Sequence, residues 1–176
     1  LIVKLFLIGF GSGFLNNFKI GDEVPARIME NPNFHLPITP EYVVMIANGT
    51  GIAPFLGMIQ ENILRKTISL FAGFRHDNDW VNSYRIFAEN QINQGQLEHF
   101  DFAFSREENK QYVMDLIRKN ENYFAELLAK NGTIMICGSL KMQKDVEIIL
   151  DEICQKFLGK PLQHFIKNGQ ILSDCY

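Results

Sequence analysis

Five short segments carry side chains that chemistry can use, and each follows or ends an apolar run. Asn48-Gly49-Thr50-Gly51-Ile52-Ala53-Pro54-Phe55 offers two glycines, a hydroxyl and a helix start with Pro54 in its first turn. That combination lets a backbone approach an anion closely. It lacks both the Gly-Lys-Ser/Thr ending of a Walker loop and the GxGxxG spacing, so a plain strand-to-helix turn stays open beside the anion site. Ser105-Arg106, with Lys110 and Tyr112 after it, gathers a hydroxyl, two cations and an aromatic ring. Such a set can hold a phosphate monoester while the ring stacks on a base, each charge-assisted hydrogen bond contributing roughly 1.5–3 kcal/mol. A solvated loop with Arg106 paired to Glu107 or Glu108 is also compatible. Cys137 ends an apolar run and reads first as an inert core thiol, and Asp174 and Tyr176 read first as tail. The segment around Arg75 and His76 completes the five, with His35 and His76 read as polar surface groups.

The elements that must position these residues follow from periodicity. YVVMIA (42–47), ISLFAGF (68–74), LEHFDFAF (97–104) and TIMICG (133–138) are compact apolar runs that predict strands, and ILSDCY predicts a terminal one. Between them the spacing predicts helices: one with Phe55, Ile59 and Ile63 on a face, one around 81–93, and one from about 111 to 130. Another has Met142, Val146, Ile149, Ile153 and Phe157 in register, and a short one spans 162–167. Strand-helix alternation predicts a doubly wound parallel five-stranded sheet, an α/β fold, whose ligands bind beyond the carboxyl ends of the strands. The first 40 residues differ. Short strands over 1–8 and 22–29, a Gly-rich turn between them, and Pro32, Pro37 and Pro40 read as the last strands of an antiparallel barrel.

Composition sets the class. The chain has 176 residues, 47% hydrophobic and 21% charged, which excludes disorder and low-complexity architectures. A net charge of −3 argues against broad nucleic-acid binding. Three scattered cysteines make neither a disulfide framework nor a zinc site, and no other metal-ligand spacing occurs. They imply a reducing compartment, the cytoplasm, with membrane tethering through upstream sequence left open. No uncharged apolar stretch reaches bilayer length and no signal-peptide pattern opens the chain. The first residue is Leu, which implies a fragment of a longer polypeptide.

Taken in order, the segments resemble the ferredoxin-NADP⁺ reductase family, and most closely its diflavin branch, which includes the sulfite reductase flavoprotein component and cytochrome P-450 reductase. NGTGIAPF resembles GxGTGxAPF, LFAGFRH a strand ending in Gly-Cys-Arg, and FAFSREENKQYV the AxSR followed by Lys-x-Tyr-x-Gln. ICGSLKMQKDV resembles the CG…M…DV signature and SDCY the terminal Asp-x-aromatic. Upstream, Gly9-Phe10-Gly11-Ser12 and the following Leu15 are similar to the GxxSxxL loop that grips the FAD pyrophosphate, and Phe34 to Pro37 to the exit from the FAD barrel.

The resemblance implies residues 1–39 as the end of an FAD-binding barrel and 40–176 as an NADP(H)-binding domain. Gly9, Phe10, Gly11 and Ser12 would contact FAD, and Tyr176 would stack on its isoalloxazine. Thr50 would sit by the NADPH pyrophosphate. Ser105, Arg106, Lys110 and Tyr112 would hold the adenosine 2′-phosphate, with Gln111, Val113 and Met114 lining that site, Asp145 completing the nucleotide pocket and Arg75 also binding the cofactor. Cys137, Asp174 and Tyr176 would be the catalytic set beside the nicotinamide. The implied enzyme is an NADPH-dependent flavin oxidoreductase that sends electrons on to FMN, in an upstream domain, or to an external carrier. An NADH-using cytochrome b5 reductase-like enzyme and a non-catalytic nucleotide sensor are the rivals. Departures from the family pattern are Phe74 for Cys, Met114 for Gln, Ser139 for Asp, a shorter Ser105-to-Lys110 spacing and no Arg-x-Tyr-Ser motif.

Overall fold

The computed structural model describes residues 10–25, 27 and 31–176. Five strands, β1 (Tyr42–Asn48), β2 (Thr67–Phe74), β3 (His99–Phe104), β4 (Thr133–Gly138) and β5 (Ile171–Cys175), form one parallel sheet in the order β3-β2-β1-β4-β5. Burial on both faces explains their near-continuous apolar sequences. Along β1, Val43, Met45 and Ala47 pack on one side with Ile52, Phe55, Ile59 and Ala88. Val44 and Ile46 pack on the other with Leu116, Phe124, Val146 and Phe165. The first layer belongs to α2 (Ala53–Gln60) and α3 (Asp79–Asn93). The second belongs to α4 (Val113–Lys119), α5 (Glu121–Ala129), α6 (Leu140–Ile153) and α7 (Leu162–Lys167). The parallel α/β sheet read from the sequence is the observed one.

Several boundaries move for local reasons. The helix expected through Ile63 stops at Gln60 because Asn62, fully buried, donates from Nδ2 to the Lys66 and Gln96 carbonyls at 2.8 Å each and accepts from Lys66 N at 2.9 Å. Ile63 is left 82% exposed rather than in the core. The long helix expected over 111–130 is two, broken at Asn120, whose side-chain amide turns back to the Leu116 carbonyl at 2.9 Å. Past Ile153 the chain widens into a π turn, Cys154–Leu158. The extra residue per turn rotates Phe157 off the apolar face, so it is 39% exposed beneath the Lys156 ammonium instead of buried.

In the first 40 residues, α1 (Phe10–Asn16) stands where a Gly-rich turn was expected. Residues 22–25 carry no regular structure. The strand expected over 1–8, and positions 26 and 28–30 of the second, lie outside the described residues. Among the described residues no helix is long and apolar enough to cross a membrane.

The sheet's chain path reverses between β1 and β4, making that pair the topological switch point. Here a 3₁₀ turn (Gly49–Ile52) leads from β1 into α2. A Cβ on Gly51 would overlap the Cys137 carbonyl oxygen and lie 2.6 Å from the Cys137 carbonyl carbon and 2.7 Å from Gly138 Cα. Gly49 is required for a different reason, its φ of +55° in otherwise open space. Because the Gly51 clash is with rigid backbone, Gly51→Ala is expected to remove about 2 kcal/mol or more of stability. At roughly 2–4 °C per kcal/mol for a chain of this size, thermal circular dichroism should record a Tm lower by about 4–8 °C. An unchanged midpoint would contradict the packing.

Candidate functional site

Strand ends bring the sequence-singled residues to one rim of the sheet, in two groups. The first surrounds the β1–β4 switch point. Asn48, last residue of β1, reaches across to α6: its Oδ1 accepts from Ser139 N at 2.9 Å and its Nδ2 donates to Ser139 Oγ at 3.1 Å. Ser139 Oγ in turn accepts from Met142 N at 3.3 Å, capping α6. A Cβ on Gly138 would collide with the Asn48 side chain, which is why β4 ends in glycine at φ +149°. Asn48 opens the NGTG segment, but nothing local pointed to its bridge with Ser139, 91 residues on.

Thr50 is held two residues beyond this clamp, and its Oγ1 lies 2.8 Å from the Tyr176 phenol oxygen. The terminal tyrosine is anchored by its backbone, Tyr176 N donating to the Gly138 carbonyl at 3.0 Å, while its side chain stays exposed at the rim. Strand register sets Cys137 beside Asp174 on adjacent strands. Cys137 is buried among apolar neighbours. That burial, reinforced by the negative charge of Asp174 and by Cys175, pushes its thiol up to about 12. It is a neutral S–H at physiological pH, no nucleophile. Asp174 is exposed and accepts from Asn31 Nδ2 at 3.3 Å.

The second group lies two strand intervals away, roughly 10 Å at normal sheet spacing, beyond β2 and β3. The ladder runs one residue past the strands, Arg106 N donating to the Arg75 carbonyl at 2.8 Å. Ser105 N and Oγ both donate to the Phe74 carbonyl, at 2.9 and 3.2 Å. Arg75, Arg106 and Lys110 are exposed, and none forms an ion pair among the described residues. The pairing of Arg106 with Glu107 that composition allowed does not occur, because Glu107 Oε1 is 3.3 Å from His76 Nδ1 and accepts from Asp77 N at 3.0 Å. Lys110 Nζ stands 5.1 Å from the centroid of the Tyr112 ring, and Tyr112 N donates to Asp115 Oδ2 at 2.7 Å to open α4.

Other expected contacts separate. Val113 is buried in the core against Gly73 and offers a pocket only its backbone. Met114 packs partly against the same core. Gln111 is half-buried, its N–H committed to the Phe104 carbonyl at 2.8 Å. Asp145 is half-buried in the second turn of α6. Phe10, Gly11 and Ser12 belong to α1, and Gly9 lies outside the described residues.

The rim thus combines hydroxyls at the switch point with cations unpaired among the described residues at the β3 end, a distribution suited to a ligand with two separated anionic groups. Comparison with known proteins gives the family. The family described as Oxidoreductase NAD-binding domain matches residues 45–147. The sulfite reductase [NADPH] flavoprotein alpha-component of Salmonella arizonae is 33% identical over 164 residues, 88% of this chain and 27% of that protein. Its namesakes in Buchnera aphidicola (34% over 156 residues, 83% and 25%) and in an Enterobacter species (36% over 166 residues, 88% and 27%) align similarly. The chain spans about a quarter of the length of these curated relatives.

The buried thiols give a pH prediction. Burial and Asp151 likewise push Cys154 up to about 11. Both folded values exceed the ordinary thiol value of about 8.5, so above that pH the unfolded chain gives up protons that the folded chain keeps. Their stabilising contribution is full below about pH 8.5 and is lost as pH rises toward 11–12. Urea midpoints should therefore fall between pH 9 and 11, less steeply in Cys137→Ala/Cys154→Ala, and alkylation of either thiol at pH 8 should require denaturant. Rapid native-state labelling of Cys137 would contradict its burial.

Proposed function

Because the chain belongs to the Oxidoreductase NAD-binding domain family, we propose that it is the NADPH-binding part of a flavoprotein in which hydride passes from NADPH to FAD. Electrons then go to FMN or an external carrier. The observation that carries this reading is the pair of cations, Arg106 and Lys110, exposed beside the Ser105 hydroxyl and without a carboxylate partner among the described residues. A 2′-phosphate is a dianion of the size such a set accepts, and its guanidinium contact can be bidentate.

Residues 40–176 are the nucleotide domain in this reading, and residues 1–39 complete an FAD-binding barrel with Gly9, Phe10, Gly11 and Ser12 near the flavin. Arg75, Tyr112, Gln111 and Met114, with the backbone of Val113, border the adenosine end, and Asp145 closes the pocket. Thr50 and the first turn of α2 meet the pyrophosphate. FAD supplies the hydride-accepting and electron-splitting chemistry when bound. The Tyr176 ring, 68% exposed, offers it a stacking face, while Asp174 and the protonated Cys137 border the nicotinamide position and exclude water. An NADH-using relative would have no use for the free cations at the β3 end, which favours NADPH. The working location proposed is the cytoplasm, in keeping with three free cysteines.

Two binding measurements follow. In calorimetric titration of the chain, Arg106→Ala should weaken NADP⁺ by about tenfold or more, and NAD⁺ by less than about twofold. Equal losses would sink the 2′-phosphate assignment. Tyr176→Phe removes the hydroxyl that occupies Thr50 Oγ1, so both nucleotides should tighten, by similar factors of roughly 2–10. Weaker binding in that variant would mean the phenol assists the pyrophosphate rather than competing with it.

A further inference from the structure

Arg106 and Glu107 are neighbours in sequence, exposed at the same turn, and nothing local prevents their charges from meeting or keeps the carboxylate off a phosphate held by the arginine. What separates them comes from the other strand end. Glu107 Oε1 is taken by two consecutive residues after β2, His76 Nδ1 at 3.3 Å and Asp77 N at 3.0 Å. The Asp77 carboxylate is itself drawn the opposite way, receiving Arg85 Nη2 on both oxygens at 3.1 and 3.0 Å. Asp77 therefore presents its N–H to Glu107 and its charge to α3. Glu108 makes no ion pair with Arg106 either, but it lacks any such tether.

We propose that His76 is a positioning residue for nucleotide specificity: it holds the Glu107 carboxylate away from Arg106 and so keeps the guanidinium available to the 2′-phosphate. This rests on the phosphate pocket proposed above. A carboxylate released from His76 acts against NADP⁺ in two ways, by neutralising Arg106 and by repelling the dianion, and it has no such effect on NAD⁺, which has only a hydroxyl there. The chemistry recognised is that of a phosphate monoester on a nucleoside, so 2′-AMP and 5′-AMP serve as minimal probes.

The test is titration of the 176-residue chain with NADP⁺, NAD⁺, 2′-AMP and 5′-AMP. His76→Ala should weaken NADP⁺ and 2′-AMP about fivefold, equivalent to ~1 kcal/mol at 1.4 kcal/mol per tenfold, with NAD⁺ and 5′-AMP unchanged. His76→Gln, whose amide can still donate to Glu107, should keep most of the wild-type preference. The decisive variant is His76→Ala/Glu107→Gln, which should recover the NADP⁺ affinity that His76→Ala loses, whereas His76→Ala/Glu108→Gln should not. A merely structural role for His76 would not be rescued by neutralising one carboxylate. An unchanged NADP⁺/NAD⁺ ratio in His76→Ala, or a loss that Glu107→Gln fails to restore, overturns the proposal. Arg106→Ala is the separating arm: if it too leaves the ratio unchanged, the pocket itself is wrong and the inference falls with it.

Discussion

The peptide joining Cys137 to Gly138 packs so tightly against Gly51 that no side chain fits between them. That contact fixes the distance between the end of β1 and the end of β4, where the sheet's chain path reverses. The Asn48 side chain then spans the same gap and fastens the start of α6 through Ser139. Thr50, just past the end of β1, and the backbone anchor of Tyr176 on Gly138 both inherit their positions from it. The two glycines of NGTG therefore serve the protein's own backbone first, one by admitting a close crossing and the other by adopting a positive φ. The same turn leaves the Thr50 hydroxyl held against the Tyr176 phenol.

The rim built on this constraint is electrostatically divided. Around the switch point Asn48 is hydrogen-bonded to Ser139 and Thr50 to Tyr176, Cys137 is kept protonated by burial, and Asp174 adds a carboxylate. Beyond β2 and β3 the cations stand in solvent, and three of the nearby carboxylates are engaged elsewhere: Glu107 with His76 and Asp77 N, Asp77 with Arg85, Asp115 with Tyr112 N. Exposed charges are screened over about 8 Å at physiological salt, so a phosphate at that end would be held by direct contact rather than by long-range attraction. A small net charge of −3 suits such local recognition.

Much of this was readable from residue order. Buried parallel strands announce themselves as unbroken apolar runs, and β1, β2 and β4 were located to within a residue because they are covered on both faces. The strand ends then followed, and with them Thr50, Ser105 and Arg106. What escaped depends on partners distant in sequence. Nothing near Asn62 reveals that its amide meets Gln96 and ends α2, leaving Ile63 in solvent. Nothing in EICQKFLG distinguishes a π turn from a continuing helix, so Phe157 was assigned to the wrong face. The Asn48–Ser139 bridge joins residues 91 apart and the Glu107–His76 contact residues 31 apart. Local composition could therefore offer only the alternative in which Arg106 pairs with its own neighbour.

The central claim is that the free cations beyond β3 recognise the 2′-phosphate of a nucleotide carried across the switch point. Amide chemical-shift mapping of the chain with 2′-AMP and with 5′-AMP tests it most directly, since it locates the phosphate without relying on a variant. The account predicts that 2′-AMP shifts the backbone amides of Ser105, Arg106, Lys110 and Tyr112, and that 5′-AMP leaves them nearly unmoved at the same concentration. Equal shifts from both compounds, or shifts confined to residues away from the β2 and β3 ends, would contradict it.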